Sequence, residues 1–174
     1  MEFRIRQATD DDVVGLAPHY AAFLEEVLAE DTTVERNPEV RPERVVADLV
    51  RRERGVVLVA EAGGALVGFA YVEIRGSNAR AKGFGARLRD LFAPRRAVLP
   101  VILSDRGWLG HLYVLPAHRR QGVASALVRA AADWARERGA KSLELNVLVS
   151  NEPARRLYEK LGMTATLVDY RLTL

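Results

Sequence analysis

The sequence predicts a mixed α/β fold in one domain, and three observations carry that reading. Strand-type alternation gives way repeatedly to helix-type periodicity, and glycines and prolines mark the joins. The chain has 174 residues, 49% of them hydrophobic, which suits one core. A domain of this size buries about 70% of its unfolded surface, so it needs no disulfide or structural metal to hold it. The elements read as βααββ, an insertion, then βαβαβ, with no internal repeat and no low-complexity linker.

Each element has its own local cause. Residues 1–6 alternate Met1, Phe3 and Ile5 with charged Glu2, Arg4 and Arg6, as a half-buried strand does. Thr9 followed by Asp12 has capping-box spacing, and Val13, Leu16, Ala17, Tyr20, Leu24, Val27 and Leu28 then share one helical face. Pro18 within that helix predicts a kink. Pro42 opens a second helix with the stripe Val45, Val46, Leu49 and Val50. Residues 56–60 and 66–74 flank Gly63 and Gly64 and read as a hairpin. Residues 76–107 form the irregular insertion between the third and fourth strands, with a short helix expected at 86–92. A strand at 109–114 is stopped by Pro116, and a helix then runs from Gly122 to Gly139. Another strand is expected at 142–149, a helix from Pro153 to Gly162, and a terminal strand at 164–174.

Composition narrows the chemistry. There is no cysteine, which excludes thiol nucleophiles, CxxC redox chemistry, iron–sulfur clusters and cysteine-bound zinc. The net charge is +3, but the basic set is 23 Arg and 3 Lys beside 25 Ala, a skew that codon composition alone can produce. Aromatic content is 7% and the arginines are dispersed, so a nucleic-acid groove with stacking platforms is not indicated. Residues 1–8 carry no apolar run of signal-peptide type, and no apolar stretch is long enough to span a bilayer, so a cytoplasmic protein with no membrane partner is expected. No HExxH or similar metal-binding spacing and no P-loop occur, so no metal is expected.

The informative segment is GHLYVLPAHRRQGVA, residues 110–124. A strand ends at Val114, the chain turns at Pro116, and Arg119, Arg120, Gln121, Gly122, Val123 and Ala124 lead into a helix N-terminus. Such a turn aims unpaired backbone N–H groups one way, where the helix dipole also favours negative charge. It reads as a pyrophosphate cradle, with small Gly122 and Ala124 permitting close approach and Ser125 adding a hydroxyl. A short basic turn of this kind also occurs without a ligand, so its place between strand and helix matters more than its letters.

In that place the chain resembles the GCN5-related N-acetyltransferase superfamily, over nearly its whole length. LYVLPAHRRQGVASALV resembles the family's acetyl-CoA motif, and LNVLVSNEPARRLYEKLGM resembles its next motif. The resemblance implies a mostly antiparallel mixed sheet flanked by helices, whose fourth and fifth strands splay to admit pantetheine. It implies acetyl-CoA as donor, with pyrophosphate on the amides from Arg119 to Ala124, Ser125 nearby, and pantetheine on the backbone of Leu112, Tyr113 and Val114. Asn151 would contact the cofactor arm or fix the turn beside it, and Tyr158 would lie near the sulfur.

A physical case for Tyr158 stands beside the analogy. The leaving group is a thiolate, and a phenol with a pKa of about 10 can give it a proton or hydrogen bond at neutral pH. The base is less defined. Histone-type members of the family place a glutamate where this chain has Trp108, and Asn146 stands where many relatives are acidic. His111 on the fourth strand and Glu73 on the third are the candidates, with water as a third route. A lone strand histidine is more often structural, and a lone strand carboxylate more often a solvated surface group.

Charge is unevenly placed. Residues 10–48 hold 11 Asp and Glu against 3 Arg, whereas residues 75–106 hold 8 basic residues against 2 acidic ones. The resemblance makes the first stretch a wall of the acceptor site, where negative potential would favour a small cationic or peptide amine. With no cysteine for an acyl-enzyme, the expected reaction is direct transfer in a ternary complex. The competing reading is an acyl-CoA-sensing or nucleic-acid-binding module that keeps the fold without catalysis. A homodimer stays open.

Overall fold

A computed structural model describes residues 2–31, 35–76 and 105–166. Its five strands lie in sequence order: β1 (Arg4–Gln7), β2 (Gly55–Ala62), β3 (Ala65–Arg75), β4 (Arg106–Val114) and β5 (Leu143–Glu144). All neighbours are antiparallel except β4 and β5, which are parallel. The mixed, mostly antiparallel sheet expected from the sequence is therefore present.

Helices cover both faces. α1 (Val13–Glu30) and α2 (Pro42–Val50) lie on one, and α3 (Val123–Glu137) lies on the other. Strand alternation divides the core accordingly. Val57, Val59, Phe69, Tyr71 and Tyr113 meet Leu16 and Tyr20 of α1 and Val46 and Leu49 of α2. Leu58, Ala60, Val67, Ala70 and Val72 meet Val123, Leu127, Ala131 and Trp134 of α3. Leu127 is 0% exposed, and full burial of such a side chain stabilises by roughly 1.5–3 kcal/mol. α4 (Glu152–Lys160) packs its Tyr158 and the following Leu161 against this second cluster.

Several elements depart from expectation. The first helix is preceded by a 3₁₀ turn at Asp10–Asp12, in which Asp12 accepts the Thr9 N–H at 2.8 Å and a two-point bond from Arg6. α1 continues through Pro18. Val14, whose carbonyl loses its donor there, is 80% exposed, so water can take the bond. β4 begins at Arg106, three residues early, because Gly107 pairs with Leu143 of β5 and donates to the Ser142 carbonyl at 2.8 Å. A Cβ at Gly107 would stand 2.6 Å from that of Ala135, so only glycine lets β4 run so close to α3.

The larger departure is β5, expected to reach residue 149 but ending at Glu144. Tyr71 pairs with His111 and Val72 with Leu109, so Gly110 is an extra residue on β4. Such a bulge bends a strand. Past Trp108 and Glu144, β4 and the chain after β5 have no further paired residues, and a groove opens between them. The expected helix at 86–92, nearly all of the insertion at 76–107 and the terminal strand beyond residue 166 lie outside the described residues; residues 164–166 are not strand.

Candidate active site

Phe69, Tyr71 and Tyr113 face α1, and His111, two residues before Tyr113 and paired with Tyr71, shares their face, whereas beyond the bulge Leu109 joins the α3 side. The His111 ring lies 5.4 Å from Tyr20, 5.2 Å from Phe23 and 5.6 Å from Tyr71, centroid to centroid. Its Nδ1 is buried with no hydrogen-bond partner among the described residues. Burial among these rings pushes the pKa down to about 4, against the opposing pull of the Glu73 charge. His111 is therefore a neutral imidazole at neutral pH.

The cradle forms where β4 gives way to α3. A single 3₁₀ turn at Pro116–His118 reverses the chain, and the Arg119 N–H donates to the Pro116 carbonyl at 3.3 Å. Arg120 then takes φ +64° and Gly122 φ +86°, both left-handed. The first helical bond to the Gly122 carbonyl comes from Ala126, at 3.0 Å. Six consecutive N–H groups, from Arg120 to Ser125, therefore donate to no backbone carbonyl among the described residues. A Cβ at Gly122 would meet nothing within 4 Å, so the space before these amides is open. An anionic diphosphate fits such a place, since the donors and the helix dipole act together. Of the amides from Arg119 to Ala124 that the resemblance assigns to pyrophosphate, that of Arg119 is thus taken by the Pro116 carbonyl.

The groove of about 1090 Å³ is bordered by His111, Leu112, Tyr113, Val114, Arg119, Arg120, Gly122, Ala124, Ser125, Asn151 and Tyr158. Most residues singled out in the sequence are thus brought together. Val123 is not among them because its side chain, 1% exposed, is core beneath the cradle. Gln121 also turns away, its Nε2 donating to the Ala117 carbonyl at 3.1 Å.

Asn151 caps α4, its Oδ1 accepting the Ala154 N–H at 3.1 Å, and also borders the groove. Tyr158 borders the groove from α4, and burial pushes its phenol up to about 12. It stays protonated throughout the neutral range.

Glu73 does not border the groove. Its carboxylate accepts the Tyr71 hydroxyl at 2.6 Å, Arg75 Nε at 2.7 Å and Arg52 Nη1 at 3.4 Å. Burial alone would raise its pKa, but the bonds from Tyr71 and Arg75 and the charge of Arg52 outweigh burial and hold it below the ordinary value. A carboxylate so engaged is a weak proton acceptor. Trp108 pairs with Glu73 across the strands, under the guanidinium of Arg75 at 4.3 Å from the ring centroid, so the position that the resemblance matched to a glutamate of histone-type members is filled by a stacked pair.

Sequence reasoning assigned no site role to α1's individual residues. Phe23, Glu26, Val27 and Glu30 form one wall of the groove. Their three- and four-residue spacing was the available signal, since it places them on one helical face. α2 contributes nothing to the groove, so of the acidic stretch only the end of α1 and Asp31 are wall. Among the described residues no three His, Asp or Glu side chains stand together as a metal site, and no helix is long and apolar enough to cross a membrane.

Comparison with known proteins agrees with this geometry. The profile of the Acetyltransferase (GNAT) family matches residues 21–163. An uncharacterized N-acetyltransferase of Bacillus subtilis, YhfO, is 27% identical over 158 residues, covering 91% of this chain and 87% of that protein. Shorter matches include a putative [ribosomal protein bS18]-alanine N-acetyltransferase of Bacillus subtilis, 37% identical over 62 residues, and streptothricin acetyltransferase of Streptomyces lavendulae, 44% over 69. These cover 36% and 40% of this chain, and only 41% and 36% of the relatives' own lengths.

Among solved structures, a tetramutant of the BH1408 protein of Bacillus halodurans superposes with a TM-score of 0.77 at 21% identity, over 98% of this chain and 99% of that one. Aminoglycoside N-acetyltransferase AAC(6')-Iy in complex with CoA superposes at 0.70 with 18% identity, over 99% and 96%. At those identities the likeness is one of fold. With a family profile spanning most of its length, the chain belongs to the GNAT acetyltransferase family.

Proposed function

We propose that this protein transfers an acetyl group from acetyl-CoA directly to a primary amine held against α1. The observation that carries the reading is the row of unpaired amides from Arg120 to Ser125, opening on the same groove as Tyr158 and His111. The amides hold the donor's pyrophosphate, and the β4 edge at Leu112 and Tyr113 lies where its pantetheine arm would run. The donor supplies an activated thioester carbonyl. The amine nitrogen forms the new C–N bond while the C–S bond breaks. Tyr158, kept protonated by burial, gives the sulfur a hydrogen bond or proton. The amine's surplus proton leaves to neutral His111 or through water, and Glu73 holds Tyr71 in place beside His111.

With no cysteine in the sequence, no thiol acyl-enzyme route exists. The acceptor class is a cationic amine, small or peptide-borne, because Glu26 and Glu30 stand on the wall it would pass. Relatives named for streptothricin, an aminoglycoside and a ribosomal-protein alanine are in keeping with that breadth.

The experiment is thiol release from acetyl-CoA across a panel of polyamines, aminoglycosides and N-terminal peptides, beside calorimetric titration with acetyl-CoA. Binding with turnover on at least one amine is expected; absence of binding would overturn the reading. One observation favours the acyl-CoA-sensing alternative. Glu73 lies outside the groove, and His111 is held at a pKa of about 4, which leaves the site without a strong base. Binding without turnover on any amine would select it.

A further inference from the structure

Four residues apart on α1, Glu26 and Glu30 point across the groove to two different loops. Glu26 Oε1 accepts Arg119 Nη2 at 2.5 Å, on the loop after β4. Glu30 accepts Asn151 Nδ2 at 2.9 and 3.2 Å, on the loop after β5.

The Arg119 side chain is engaged through two of its three nitrogens. Its Nε donates to the Val114 carbonyl at 2.9 Å, and its guanidinium carbon lies 5.6 Å from the Tyr113 ring centroid. With Nη2 on Glu26, the Nε–Nη2 edge and one face of the guanidinium serve protein partners. By contrast, Arg120 next to it makes no side-chain hydrogen bond or ion pair among the described residues and borders the same groove, so the cradle has a cation to spare without Arg119.

We propose that the Arg119 side chain is a positioning residue and not a ligand of the donor's phosphates: with Glu26 it latches α1 to the end of β4, while Glu30 and Asn151 form a second latch to the start of α4. The consequence is local. Phe23, one turn before Glu26, lies 5.2 Å from His111 and 6.5 Å from Tyr113, so the latches hold the acceptor wall over the reacting end of the groove. This inference rests on the acetyl-CoA reading above only for its assignment of the two sides of the groove.

The test uses the full chain with Glu26→Gln, Arg119→Gln, Arg119→Lys, the Glu26→Gln/Arg119→Gln pair and Glu30→Gln. The readouts are amide exchange over residues 23–31 and calorimetric acetyl-CoA affinity at two salt concentrations. Exposed ion pairs are worth up to about 1 kcal/mol, so each Gln variant of the Glu26–Arg119 pair should speed exchange there by about two- to fivefold, and Glu30→Gln, which weakens the acceptor of the Asn151 amide, by about twofold or less. The pair should be no faster than either single variant, since both remove one interaction. Arg119→Lys keeps the charge but loses the fork, and should behave as Arg119→Gln. Acetyl-CoA affinity should move by less than about twofold in all, with its salt dependence unchanged.

A tenfold loss of acetyl-CoA affinity in Arg119→Gln that Glu26→Gln does not share would make Arg119 a phosphate ligand and overturn the proposal. Unchanged exchange at 23–31 would also overturn it. A wild type that binds no acetyl-CoA would sink the proposed function, and the exchange data would still judge the latch.

Discussion

Tyr71 on β3 stands opposite His111 on β4, ring centroids 5.6 Å apart, and the strands slip by one residue just beyond them, at Gly110. His111 faces α1, where it meets Tyr20 and Phe23. Tyr71 in turn spends its hydroxyl on Glu73, so the imidazole has aromatic neighbours and no partner for Nδ1 among the described residues.

His111 should make the fold sensitive to acid. Its pKa falls from 6.5 in the unfolded chain to about 4 when folded, so between those values the unfolded state binds the extra proton. Stability is then fully present above about pH 6.5 and declines as pH falls toward 4, by up to roughly 3 kcal/mol from this group. Chemical denaturation of wild type and His111→Phe at pH 7 and pH 4.5 checks this. The variant should lose distinctly less stability between the two. Should His111 also accept the amine's proton, the acidic limb of the rate profile would lie near pH 4 and vanish in His111→Ala.

If the phenol acts on the leaving sulfur, as proposed, Tyr158→Phe should lower turnover by about ten- to a hundredfold while leaving the acetyl-CoA constant nearly unchanged. Because burial raises the phenol to about 12, its ionisation should not reduce the rate below about pH 11. Steady-state kinetics with the best amine of the panel measures both. Undiminished turnover would remove the assignment.

Gly122→Val separates cradle from core. The position has φ +86° and open space where a side chain would go, so the variant should cost about 1 kcal/mol of folding stability from backbone strain. Acetyl-CoA affinity should drop at least tenfold, because the new side chain fills the phosphate space. Thermal melts and calorimetry together distinguish this from general unfolding.

Much of the fold was legible because its causes are local. The cap at Thr9 and Asp12, Pro42 at the start of α2, the glycine pair of the hairpin and the stripe Val123, Leu127, Ala131 and Trp134 each act within a few residues. The cradle was legible for the same reason, since strand, turn and helix N-terminus follow one another in the chain. The extent of β5 was not. Residues 145–148 have strand composition, yet a strand needs a partner, and the bulge in the neighbouring chain segment removes it.

The sequence by itself determined the family fold, the strand–turn–helix at residues 110–124 and the absence of a cysteine, all of which depend on residue type and short spacing. Only the tertiary structure decided that Arg119 reaches Glu26, that Asn151 reaches Glu30 across 121 residues of chain, and that Glu73 is taken up by Tyr71, Arg75 and Arg52. Those outcomes follow from competition between distant partners for the same donors and acceptors. Hydrogen-bond competition of that kind is resolved by packing, and residue order alone does not encode which partner wins.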